Sequence, residues 1–111
     1  MHRAPFGNLH QPLPLRVVEV ADQLDVDIDV VDPAYAPGTN SVEPGGFTSR
    51  EIINAVRLGC ERGFAGFDVV EVSPDYDSRS GHTSTLAAKL IVEAICCIAA
   101  KTAGRPRSWE R

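Results

Sequence analysis

Residues 25–33 read Asp25-Val26-Asp27-Ile28-Asp29-Val30-Val31-Asp32-Pro33, with an acid at every second position of an otherwise strand-like segment. Side chains at i, i+2 and i+4 of a strand share a face. The alternation therefore predicts a strand over Asp25–Val31, with Asp25, Asp27 and Asp29 on one side and Val26, Ile28 and Val30 on the other. Two carboxylates about 4 Å apart repel by about 4 kcal/mol at an effective dielectric of about 20. A folded chain keeps such a row where the face is wet, as on a solvated edge strand, or where a cation sits between the charges.

Working outward, the next residues are Pro33-Ala34-Tyr35-Ala36-Pro37-Gly38-Thr39-Asn40-Ser41-Val42-Glu43-Pro44-Gly45-Gly46, followed by Phe47-Thr48-Ser49-Arg50-Glu51. A loop over 32–47 this rich in Pro and Gly is too long for a tight turn and is expected to line something. Thr48 and Glu51 have the spacing of a capping box, which opens a helix. That helix buries Ile52, Ile53, Val56 and Cys60 at helical spacing and stops at Gly63. Gly66 to Val72 reads as a second strand, broken at Pro74, with a polar turn over 75–82. Thr83 to about Ala100 reads as a second helix, roughly 27 Å long at 1.5 Å per residue. Residues 1–15 hold three prolines and no sustained period, and Leu15–Gln23 suits a short helix or a strand equally.

Three blocks carry a resemblance. The first is Asp27-Ile28-Asp29 through Asp32-Pro33, Ala36-Pro37-Gly38-Thr39 and Glu43-Pro44-Gly45-Gly46. The second is Glu71-Val72-Ser73-Pro74, and the third is Thr83-Ser84-Thr85-Leu86-Ala87-Ala88-Lys89-Leu90. In this order they resemble the C-terminal part of the ureohydrolase superfamily of arginases and agmatinases, with wording that favours the agmatinase-like branch. The resemblance implies an α/β fold, the three-layer αβα parallel sheet of the arginase type, present here as its C-terminal portion. The expected layout is a divergent lead-in over 1–23, the ureohydrolase part over 24–101 and a loose tail over 102–111.

A strand–helix–strand connection of this length implies a parallel crossover. Ligands of open α/β sheets gather beyond the carboxyl ends of the strands, where Asp27, Asp29 and Glu71 fall. The resemblance makes Asp27 a carboxylate bridging two Mn2+ ions, Asp29 a ligand to one of them, and Glu71 the partner of a substrate guanidinium. It implies hydrolysis of a small guanidino compound such as agmatine to urea and an amine, by a water activated between the two metals. Its upstream Gly-Gly-Asp-His and Asp-x-His-x-Asp ligand motifs do not occur in this sequence. The site is therefore expected to be incomplete, with no complete catalytic set, and an alternative is a non-catalytic remnant that associates with full-length relatives.

The remaining candidates have ordinary readings. An EF-hand is excluded, because Val30 stands where its Gly is needed and Ala36 where its bidentate Glu belongs. Asp32 is expected to cap the Asp-Pro turn, Glu43 to be structural, His82 to sit in a surface loop and the Lys89/Glu93 pair to be a solvated helix face. Asp25 replaces the family's Ser or Thr, and Asn40, Ser41 and Val42 replace its Gly-Thr-Pro in a substrate-facing loop.

With 111 residues the chain makes one domain, and a net charge of −4 without a basic stripe argues against nucleic acid. The apolar run Ala94–Ala100 is too short to cross a bilayer, and no signal peptide is visible. The three cysteines read as buried thiols of a reducing compartment, so a cytoplasmic protein is expected. An unpaired edge on the first strand predicts a homo-oligomer.

Overall fold

The computed structural model describes residues 23–104. The lead-in before Gln23, and with it the question of a helix or strand there, lies outside the described residues, as does most of the expected tail. The described elements run β1 (Gln23–Asp27), α1 (Ser49–Arg62), β2 (Gly66–Val70) and α2 (His82–Thr102). β1 and β2 pair in parallel, with Gln23 opposite Gly66 and Asp27 opposite Val70. The two helices pack on each other, and α2 also packs on β2. This is the expected strand–helix–strand–helix order.

The first strand ends four residues earlier than the alternation predicts. The Asp27 carboxylate accepts the Asp29 N–H at 2.9 Å, and Ile28–Val30 turn into a short 3₁₀ segment closed by Val31 N–H on the Ile28 carbonyl at 3.1 Å. An aspartate that bonds the backbone two residues on competes with the sheet ladder, and here the local bond prevails. The turn breaks the two-residue period. Ile28 and Val31 become buried while Val30 stays 43% exposed, and Asp29 leaves the face it was expected to share with Asp25 and Asp27.

β2 likewise stops at Val70, short of the expected Val72. Glu71 follows with φ of +72°, the one non-glycine residue with positive φ among the described residues. Such a conformation costs on the order of 1–3 kcal/mol for a residue with a Cβ and no compensating contact.

α1 starts on the predicted capping box. Thr48 N–H donates to Glu51 Oε1 at 2.9 Å and Glu51 N–H returns to Thr48 Oγ1 at 3.1 Å. Ile52, Ile53, Val56 and Cys60 are its buried residues, as the spacing predicts, and Gly63 with φ of +87° ends it. The loop between β1 and α1 doubles back on the strand: Phe47 N–H bonds the Val30 carbonyl at 2.9 Å and Asp32 N–H the Phe47 carbonyl at 2.8 Å. Asp32 caps its turn as expected, accepting Ala34 N–H and Gly45 N–H at 2.9 Å each. Those amides, Ala34 first, hold its carboxyl below the usual range.

α2 is capped from outside its own sequence. Asp77 accepts the N–H groups of Thr83 and Ser84 and the Ser84 hydroxyl, all at 2.9 Å, with Ser78 N–H at 2.8 Å. Burial alone would push this carboxyl up, but the Ser84 and Thr83 donors overcome it and hold Asp77 well below the usual carboxylate range. Between the helices, Glu93 on α2 meets Arg57 of α1 at 2.8 and 3.2 Å and Lys89 at 3.0 Å. Glu93 is 7% exposed, so of the pair expected on a solvated face only Lys89 stays there, while Glu93 lies at the helix–helix contact, drawn in by a cation that periodicity within α2 does not reveal. One cysteine also departs from expectation. Cys60 of α1 and Cys97 of α2, both buried, face each other across the helix contact with 6.3 Å between their Cα atoms, while Cys96 is exposed.

The core gathers Val26, Ile28 and Val31 against Ile52, Ile53 and Val56 of α1 and Leu86 and Leu90 of α2. Its outer boundary is apolar too: Ile91, Val92, Ile95 and Ile98 on α2 are 42–59% exposed. Taken with its buried face, α2 is long and apolar enough to cross a membrane by length and composition, which the shorter run Ala94–Ala100 did not indicate. In this fold 39% of its most apolar stretch is buried.

Asp77→Ala is expected to destabilise the fold by about 1–2 kcal/mol, the usual worth of a helix cap, read as a lower urea midpoint. The sign with pH follows from the depressed carboxyl. Its stabilising effect is present above the ordinary aspartate value of 3.8 and is lost as pH falls below that toward the folded-state value. A pH–stability curve for Asp77→Ala parallel to that of the parent below pH ~4 would contradict the assignment.

Candidate metal and substrate site

Asp27 is the last residue of β1 and lies opposite Val70, the last residue of β2, so Glu71 begins one step beyond it on the neighbouring strand. The carboxyl ends of both strands therefore meet at one rim, where sheets of this type bind their ligands. Asp25, Asp27, Asp68 and Val70 are exposed, whereas Val26 is buried. Lower on the same pair of strands, Asp25 stands directly opposite Asp68. The hydrogen bond between the two side chains, followed by burial and the Asp25 charge, raises the Asp68 carboxyl above its ordinary value.

The turn that removes Asp29 from the strand places it against a different partner. Its Oδ1 accepts the Thr39 hydroxyl, and Thr39 is only 5% exposed. Asp27 and Asp29 thus remain linked, by Asp29 N–H to Asp27 Oδ1, although not as alternate residues of a flat strand. Each carboxylate has one oxygen, Oδ2, without a hydrogen-bond partner among the described residues. Hard carboxylate oxygens of this kind fit Mn2+. They make only part of a shell, since no three His, Cys, Asp or Glu side chains converge among the described residues.

Gly38 holds the rim together. Its N–H donates to Thr83 Oγ1 at 2.7 Å, and its carbonyl accepts Ser73 N–H at 2.7 Å. One residue of the loop after β1 is thereby tied both to the start of α2 and to the segment that follows Glu71. A Cβ at this position would lie 2.9 Å from Thr83 Oγ1 and 3.0 Å from Asp77 Cβ, which explains glycine here. Thr39, Gly38, Thr83 and Asp77 were not singled out as site residues from the sequence. Thr39 and Gly38 belong to the Ala-Pro-Gly-Thr block, so a signal for them was present. The Asp77 link to Thr83 spans six residues of irregular chain and carries none.

Other residues fall away from the rim. His82 is exposed and opens α2 rather than sitting in a loop; its N–H is held by Ser78 Oγ at 3.0 Å. It lines a cleft of about 590 Å³ with Tyr35, Ser49, Ile53, Leu86 and Lys89, which none of Asp27, Asp29 and Glu71 lines. A smaller cleft of about 280 Å³ runs along β1 between Asp27, Val30, Phe47 and Ile52.

Gly38→Ala is expected to cost about 1–3 kcal/mol, as overpacking does, and to lower the thermal midpoint accordingly. An unchanged midpoint would show that the junction has slack.

Comparison with known proteins shows the family. The Arginase family profile matches residues 21–97. Proclavaminate amidinohydrolase of Streptomyces clavuligerus is 50% identical over 72 residues, covering 65% of this chain and 23% of its own. Agmatinase of Bacillus subtilis strain 168 is 46% identical over 100 residues, covering 86% of this chain and 34% of its own. Among solved structures, a hypothetical agmatinase from Burkholderia thailandensis superposes with a TM-score of 0.70 at 35% identity, over 81% of this chain and 30% of that one. The chain thus spans about a quarter to a third of the length of these relatives. On the profile match, the identities and the shared strand–helix order, the chain belongs to the arginase family, within the ureohydrolase superfamily.

Proposed function

We propose that this chain carries the C-terminal part of an agmatinase-like hydrolase of guanidino compounds. In this reading Asp27 and Asp29 contribute to a binuclear manganese centre and Glu71 receives the substrate guanidinium. The observation that carries it is the register of β1 on β2, which sets Asp27 and Glu71 on neighbouring strand ends. Manganese, when bound, supplies Lewis-acid activation of a water. Asp27 and Asp29 offer their outward oxygens to that centre. Glu71 presents paired acceptors to the paired N–H donors of a guanidinium, the geometry such a cation recognises best. Its left-handed backbone, rare for a residue with a Cβ, agrees with a binding role. Imidazole ligands and a general acid for the departing amine come, on this reading, from outside the described residues.

The names of the relatives bear on substrate without deciding it, since one is an agmatinase, another a proclavaminate amidinohydrolase and a third, from Pseudomonas aeruginosa, a guanidinobutyrase. We propose a small guanidinium-bearing substrate of the agmatine or guanidinobutyrate type, in the cytoplasm.

Self-association belongs to the same proposal. β1 and β2 form a two-stranded sheet with open outer edges among the described residues, and α2 exposes Ile91, Val92, Ile95 and Ile98. Open edges and apolar patches of this kind are normally covered by a partner. Light scattering after size exclusion is expected to find oligomers; a monodisperse monomer with a sharp cooperative melt would contradict this.

Activity gives the direct test. The isolated chain with added Mn2+ is expected to release no urea above background from agmatine or guanidinobutyrate. An agmatinase N-terminal half supplied in trans is expected to restore turnover, which Asp27→Ala or Asp29→Ala then abolishes. Glu71→Ala is expected to raise KM while leaving Mn2+ binding in place. Turnover that survives both aspartate substitutions would sink the assignment. Failure of every N-terminal half to rescue would favour a non-catalytic remnant.

A further inference from the structure

We propose that Thr39 is a positioning residue for Asp29, holding its carboxylate in the orientation that a metal ion requires. The inference rests on the reading of Asp29 as a metal ligand and goes beyond it by assigning the group that aims the ligand. Three observations lead to it. The Thr39 hydroxyl donates to Asp29 Oδ1 from a position that is 5% exposed, so water does not compete freely for the bond. The hydroxyl is itself aimed: Ser41 N–H approaches the Thr39 oxygen at 3.4 Å on its acceptor side, which turns the proton toward the carboxylate. The backbone of Thr39 is fixed as well, by its N–H on the Pro37 carbonyl at 2.9 Å and by the doubly tied Gly38 before it.

The result is a short chain of bonds through the two candidate ligands. Thr39 holds the Asp29 side chain, and the Asp29 backbone holds the Asp27 side chain. Asp29 sits on a 3₁₀ turn and not in a paired strand, so no ladder bond restrains it there. Without the hydroxyl, its carboxylate is free to rotate away from Asp27. Ligating carboxylates are commonly oriented by such donors, and loss of the donor typically weakens metal affinity by about 10- to 100-fold.

The test titrates Mn2+ into the full 111-residue chain and follows free Mn2+ by electron paramagnetic resonance, with a metal-free thermal melt for each variant. Thr39→Val keeps the branched shape and removes the hydroxyl; Thr39→Ser keeps the hydroxyl. The expected result is at least about 10-fold weaker binding for Thr39→Val, near-parental binding for Thr39→Ser, and unchanged melts. In an Asp29→Ala background, Thr39→Val should have no further effect. If Thr39→Val does not fold, Thr39→Ala replaces it and must show the same loss with the same rescue by Ser. Parental affinity in the hydroxyl-free variants, with a loss in Asp29→Ala, would overturn the positioning role and leave the metal reading standing. A chain that binds no Mn2+, or an Asp29→Ala variant that binds as the parent does, would overturn both.

Discussion

The two hydrogen bonds made by Gly38 are the constraint on which the rest of the rim depends. The residues proposed to act together come from three separate stretches: the turn after β1, the segment after β2 and the loop that leads into α1. The register of the two strands sets Asp27 beside Glu71, but nothing in a two-stranded sheet alone places the loop that carries Thr39. Gly38 does so by giving its N–H to Thr83 and taking the Ser73 N–H on its carbonyl, both at 2.7 Å. Thr83 is fully buried and is fixed in turn by Asp77, which also satisfies the amides at the start of α2. A helix terminus leaves its first N–H groups without partners inside the helix. Here the aspartate that meets that need also anchors the loop holding Thr39.

The helix pair beneath serves as the platform. Arg57 and Glu93 form a charge-assisted, two-bond contact between α1 and α2, and Cys60 and Cys97 face each other about one turn further along. In a part-buried pair of this type desolvation offsets part of the attraction. One face of the helices and one face of the sheet are thereby committed to each other. The opposite sides remain apolar on α2 and acidic on the strands, which agrees with a chain that covers about a quarter to a third of its relatives' length.

Much of this was legible in the residues. Element order, the capping box at Thr48 and Glu51, the buried stripe of α1 and the Asp32 turn cap all follow from local chemistry acting over fewer than five residues. The convergence of Asp27 and Glu71 followed from topology, because both lie at strand ends that a parallel crossover must bring to one side. What escaped depended on competition or on distance. The alternation of Asp25, Asp27 and Asp29 predicted one flat strand, but the Asp27 side chain bonds the backbone of Asp29 and ends it. Glu93 looked solvated until Arg57, 36 residues away, came into view. Cys60 and Cys97, 37 residues apart, could not be placed face to face from a count of three cysteines. In the last two cases the deciding partner lay beyond the range over which periodicity carries information; in the first a local side-chain bond outcompeted the period.

The central claim is that Asp27, Asp29 and Glu71 belong to one site held at the rim of β1 and β2. Paramagnetic broadening of backbone amide resonances by substoichiometric Mn2+ tests it most directly. The account predicts that broadening centres on residues 27–29, extends to 38–41 and 70–72, and leaves the far end of α2 sharp. Broadening centred instead on Asp25 and Asp68, or spread evenly over the acidic surface, would contradict it.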